Sequence, residues 1–229
     1  MEFNKIIKYS PLVQKTAAYA QSALEDAEGG HDWQHIQRVV VNADKIATSE
    51  NCDREIVLLG ALLHDIADSK FHDGDEEIGP VTARNFLISV KTPNDIIEHV
   101  EKIVRHISYK GGKMTEFYTP ELAVVRDADR LDAIGAIGIA RAFNYGGFKN
   151  RKLFDPTIPP VAYQTKEAYK ASTAPTINHF YEKLLKLKNL MHTDTGKQLA
   201  EQRHQYMLGF LEQFFREVQF AGFDHVEHL

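Results

Sequence analysis

The stretch Ala61-Leu62-Leu63-His64-Asp65-Ile66-Ala67-Asp68 decides how this chain is read. A run of apolar residues ends in an adjacent histidine and aspartate. An imidazole and a carboxylate carried into an interior by a hydrophobic helix need partners, because an isolated buried charge is costly. One solution is a divalent ion, for which mixed nitrogen and oxygen donors are suited. The other is an ordinary pair of polar residues capping a core helix. The dipeptide alone does not choose between them.

Two further segments supply company. In Gly30-His31-Asp32-Trp33-Gln34-His35, the histidines are four apart and would share a face of a helix starting near Asp32. Ile36, Val39, Val40, Ala43 and Ile46 mark the buried stripe of that helix. Downstream, Asp127-Ala128-Asp129-Arg130-Leu131-Asp132 places Asp129 and Asp132 on one helical face. Asp127, two residues before Asp129, is turned roughly 200° away.

Helical punctuation runs through the whole chain. The expected helices are Ser10–Asp26, Asp32–Ser49, Asp53–Ala67, Pro80–Ser89, Pro93–Ile107, Pro120–Phe143, Lys166–Met191 and Asp194–Phe220. Thr92-Pro93 and Thr119-Pro120 each read as a capping threonine followed by a proline at the first helical position. Gly135 to Gly138 falls inside a helical run, where close packing explains the small residues. No segment alternates apolar and polar residues as a half-buried strand does. The fold class expected is all-α. Tyr145 to Val161, dense in glycine and proline, is the long irregular stretch, either a lid or binding loop or a plain connector. Beyond it come two long amphipathic helices whose apolar faces form core or a dimer surface.

The ordered set of His, His-Asp and Asp, together with Arg105-His106-Ile107-Ser108-Tyr109-Lys110-Gly111-Gly112, resembles the HD-domain superfamily of metal-dependent phosphohydrolases, in particular a bacterial nucleotide pyrophosphohydrolase branch. The resemblance runs from about residue 20 to about residue 147. It implies one HD domain over residues 1–229, an HD helical bundle with additional C-terminal helices over about 162–221.

The resemblance also implies residue roles. The metal ligands fall on His35, His64, Asp65 and Asp129, the last because related enzymes use the aspartate that opens an Asp-x-Leu turn. His31 either supports a ligand from behind or merely starts a helix. Asp68, one turn beyond Asp65, takes the place of a catalytic acid or base. His106 would contact a leaving phosphate, bind a second metal or complement a helix C-terminus, with phosphate contact ranked first. Lys70, His72 and Lys110 are expected against phosphate oxygens with Arg38 and Arg130 behind them, and Asp132 faces substrate or orients a neighbour. The cofactor expected is one divalent ion, manganese first, with Mg, Fe, Co, Ni or Zn admissible. The reaction expected is nucleoside triphosphate to monophosphate and pyrophosphate; a 5′-nucleotidase-type phosphomonoesterase and a non-catalytic nucleotide sensor are the alternatives.

Composition narrows the remainder. With 229 residues, 43% hydrophobic, the chain can bury a sizeable core. A formal charge of −5 disfavours nucleic acid as a partner, although a small substrate feels only the local field of its cleft; a nucleotide substrate is what the resemblance implies. Cys52 alone forms neither an internal disulfide nor a cysteine-based zinc site. No apolar stretch reaches 18 residues and no signal-type core follows the first residues, so a cytoplasmic protein without a membrane partner is expected, as monomer or homodimer. His99, His179, His192, His204, His225 and His228 are expected on the surface or in the tail.

Overall fold

The computed structural model describes residues 2–25, 32–67, 75–107, 117–163 and 171–219. Among these the secondary structure is helical, with no strand, so the protein is all-α. The chain divides into two compact units, Met1–Asp129 with His192–Gly196, and Arg130–Met191 with Lys197–Leu229.

The first unit contains α1 (Glu2–Ile6), α2 (Pro11–Ala23), α3 (Trp33–Ala47), α4 (Arg54–Leu63), α5 (Ile78–Ser89), α6 (Asn94–His106) and most of α7 (Pro120–Asp132). Side-chain caps fix where three of these begin. Ser10 accepts from the Val13 amide, Asp32 from His35 and Asp53 from Glu55 and Ile56, satisfying amides that a helix start leaves without partners. Every residue of α4 from Val57 to Leu63 is buried, which makes it the central helix, packed by α2, α3 and α6. Its start is tied to α7 by Glu121, whose carboxylate accepts from the Asp53 amide at 2.8 Å. Cys52 lies in the turn before α4; burial, then the carboxylates of Glu121, Glu50 and Asp53, push its thiol up to about 11, which disfavours the thiolate.

Several boundaries differ from the sequence expectation. Helix α4 stops at Leu63 rather than Ala67, because His64 Nδ1 lies 2.9 Å from the Ala61 carbonyl that a continuing helix would offer to the Asp65 amide. Thr119 does cap α7 through the Leu122 amide, but Thr92 does not cap α6. The Thr92 amide instead closes the turn leaving α5 on the Leu87 carbonyl, and its buried hydroxyl has no hydrogen-bond partner among the described residues. The helix expected over Pro120–Phe143 is broken after Asp132, where Gly135 adopts φ +77°, a left-handed conformation that side chains disfavour. Arg141 then donates to the Asp132 carbonyl, and the Leu131 carbonyl accepts both the Ile134 amide and Arg203.

The second unit contains α8 (Gly135–Phe148), α9 (Asn178–Glu182), a 3₁₀ helix η1 (Leu184–Leu190) and most of α10 (Asp194–Gln219). The expected long helix over Lys166–Met191 is thus replaced, in its described part, by two short pieces separated at Lys183. Phe180, fully buried, packs its ring against Phe143 and Phe210 at centroid distances of 6.1 and 5.7 Å. Helix α8 extends through Gly146 and Gly147, so the irregular stretch starts at Lys149 and not at Tyr145. That stretch is pinned, with Arg151 donating to Ser172 O and the Thr176 and Ile177 amides to Lys152 O and Leu153 O. His179 and His204 are mostly buried, contrary to the surface placement expected of them.

Two outcomes follow from the second unit. A Cβ on Gly146 would overlap the hydroxyl of buried Thr176, so Gly146→Ala is expected to cost about 1–3 kcal/mol, read as a lower urea midpoint. Burial, then the charges of Lys183 and Arg151, push His179 from 6.5 down to about 4. The unfolded chain therefore binds a proton that the folded one refuses between these values. Stability should be full above pH 6.5 and fall by up to about 3 kcal/mol towards pH 4, and His179→Gln should flatten that fall in urea titrations at successive pH values.

Candidate metal centre

Asp32, capping α3, accepts the His35 amide at 2.8 Å, which locks the first turn and aims the His35 ring inward, where the residue is 1% exposed. His64 arrives from the end of α4. Its Nδ1–H donates to Ala61 O at 2.9 Å, which leaves Nε2 as the atom with the lone pair. The two Nε2 atoms lie 3.2 Å apart. Asp65 Oδ2 is 3.6 Å from His35 Nε2 and 3.7 Å from His64 Nε2, and Asp129 Oδ1 is 3.6 and 3.8 Å from the same atoms.

Three donor atoms, one each from His35, His64 and Asp129, thus lie within 4.8 Å of one another, and Asp65 flanks the two nitrogens. Donors sharing an ion at about 2.0–2.2 Å stand about 3.0–3.5 Å apart, so the observed spacings need contract only slightly. The residues fit a divalent ion chemically as well. Two imidazole lone pairs and two carboxylates give a neutral site with a dication, of the nitrogen and oxygen character that suits manganese, iron, cobalt, nickel or zinc. The imidazole side chains are 1% and 2% exposed, while Asp65 and Asp129 are 24% and 41% exposed. The carboxylate side is therefore the open one, where a ligand can approach.

The other expected site residues divide into three groups. Asp68, Lys70, His72 and Lys110, with His31, lie outside the described residues. His106, at the end of α6, packs its ring 5.3 Å from Phe117, and its carbonyl accepts from Arg126. Arg38 is half-buried on α3. In the second unit, Arg130 donates to Leu190 O, and Asp132 is buried with an oxygen 2.6 Å from Arg141 Nη1. The structure gives Asp132 the place of a helix-end carboxylate holding an arginine.

One participant was not anticipated in its actual role. Asp127, on the opposite side of α7 from Asp129, is fully buried and accepts from the His192 and Thr193 amides and the Thr193 hydroxyl. The only sequence signal was its spacing from Asp129; its partners lie 65 and 66 residues away.

Known proteins resemble this chain in sequence and in fold. The HD domain family matches residues 32–134. YpgQ of Bacillus subtilis strain 168 is 36% identical over 207 residues, covering 90% of this chain and 93% of that protein. The crystal structure of an HD-superfamily hydrolase from Bacillus thuringiensis has a TM-score of 0.73 at 41% identity, over 96% of this chain and 99% of that one. The crystal structure of B. subtilis YpgQ in complex with ADP has a TM-score of 0.71 at 33% identity, over 95% and 97%. The chain belongs to the HD-domain superfamily of hydrolases.

Without an ion, two carboxylates facing a pair of imidazole lone pairs gain little from being close. Asp129→Asn should therefore leave the melting temperature of the metal-free protein unchanged or raised. It should abolish the metal-induced rise, which for the wild type corresponds to about 2.7 kcal/mol at a free ion concentration 100 times Kd. Scanning calorimetry with and without manganese reads both effects.

Proposed function

We propose that this protein is a metal-dependent phosphohydrolase acting on nucleotides, cleaving a nucleoside triphosphate and water to the monophosphate and pyrophosphate. The observation that carries the reading is the gathering of His35, His64 and Asp129 within 4.8 Å of one another, with Asp65 beside the two nitrogens, the imidazoles buried and the carboxylates open to solvent. A divalent ion held there supplies a Lewis acid for a phosphoryl oxygen and lowers the pKa of water towards ~7. The nucleotide part of the reading is supported by the ADP complex of YpgQ.

The chain's own groups do the rest. The His64 ring is held from behind by the Ala61 carbonyl, and the Asp32 cap fixes the backbone turn that carries His35. Asp65 and Asp129 keep the centre from presenting excess positive charge, so a polyphosphate has to be held by cations beyond it. Lys70, His72 and Lys110, backed by Arg38 and Arg130, take that role in this reading. Asp68 receives the proton of the attacking water, and His106 contacts the departing pyrophosphate. Manganese is the ion expected to support turnover.

³¹P NMR of manganese-loaded protein incubated with pooled ribo- and deoxynucleoside triphosphates tests this. Monophosphate appearing with pyrophosphate is the expected result. Orthophosphate alone would indicate a phosphomonoesterase, and binding without turnover a sensor.

A further inference from the structure

We infer that Asp127 is a positioning residue for the metal centre, its carboxylate fixing the rotation of α7 that delivers Asp129 to the two imidazoles; the inference rests on the metal-centre reading above. Asp127 is 0% exposed, and a buried carboxylate is retained only where donors surround it. Four of the contacts that hold it come from one turn. The His192 amide lies 2.9 and 3.0 Å from the two oxygens, and the Thr193 amide and hydroxyl lie 2.7 and 2.8 Å from Oδ2.

The same turn starts α10. Thr193 Oγ1 accepts from the Gly196 amide at 3.0 Å while donating to Asp127, so a single hydroxyl both caps the helix and binds the carboxylate. The carboxylate thereby sits at the positive end of a helix 26 residues long. The fit is close enough to specify glycine: a Cβ on Gly196 would run into Asp127 Oδ2 and lie 2.6 Å from Thr193 Oγ1. Glu50 adds a weaker tie, its carboxylate 3.5 Å from the Thr195 amide.

Geometry connects this clamp to the metal site. Asp127 and Asp129 point about 200° apart around α7, so holding one carboxylate fixes the azimuth of the other. Side-chain oxygens lie about 5 Å from a helix axis, so a rotation of about 5° displaces them by about 0.4 Å. Ligand positions tolerate about 0.2 Å. Packing of the apolar residues of α7 resists sliding, but a polar anchor with several directional bonds is what resists small rotations of this kind.

The test compares full-length Asp127→Asn, Gly196→Ala and Thr193→Val with Val13→Ala, a truncation in the core at α2. Each is titrated with Co²⁺ by calorimetry, and the visible absorption of the bound ion is recorded. The expected result is a Kd raised about tenfold or more in Asp127→Asn and Gly196→Ala, with a shifted absorption band, and a smaller change of the same kind in Thr193→Val. Val13→Ala should lower the melting temperature and leave Kd and spectrum alone. Should Asp127→Asn fail to fold, the other two variants carry the test. Variants that lose melting temperature yet keep the wild-type Kd and spectrum would overturn the positioning role alone. A wild type that binds no Co²⁺ would overturn the metal-centre reading and this inference with it.

Discussion

Two imidazole nitrogens facing each other at 3.2 Å, with the His64 proton committed to a backbone carbonyl, set the constraint around which the first unit is arranged. Such a pair is tolerable as a hydrogen bond if His35 carries its proton on Nε2, and becomes favourable for both lone pairs when a cation lies between them. Asp65 and Asp129, each within 3.8 Å of both nitrogens, favour the cation. Bringing these groups together works against stability and has to be offset by the surrounding apolar core.

The offset is visible in how each donor is delivered. His35 sits in the first turn of α3 and His64 just past the end of α4, so both are held by helix-terminus bonds rather than by packing alone. Asp32 fixes the start of one helix and the His64 ring ends the other. Behind them, the wholly buried stretch Val57–Leu63 is the rigid support, since moving it would expose a large apolar area. Asp129 comes from α7, whose far side is anchored through Asp127 to a turn much later in the chain. Local bonds set the histidines, whereas a long-range contact sets the carboxylate.

That division explains what was legible in the sequence. The all-α class, the starts of α2, α3, α4 and α7 and the apolar stripes follow from spacing and capping chemistry, which are local. The convergence of His35, His64 and Asp129 was suggested by ordered motifs whose meaning comes from resemblance, since nothing local brings residues 35, 64 and 129 together. What escaped was tertiary. The break at Gly135 reads as helix by pattern, and the stop is held by the Ala133 and Ile134 amides turning back onto Arg130 O and Leu131 O together with distant arginines on the Leu131 and Asp132 carbonyls. Thr92 looks like Thr119 in sequence, yet its amide is drawn to Leu87 O and its hydroxyl is displaced from the capping position. Asp127 carries no local sign of the turn that binds it.

Pulsed EPR of the Mn²⁺-loaded protein, with metal analysis on the same sample, tests the central claim most directly. The account predicts one ion per chain with hyperfine coupling to two imidazole nitrogens, reduced to one in His35→Ala and in His64→Ala. Ions bound without nitrogen coupling, or a nitrogen signal surviving both substitutions unchanged, would contradict it.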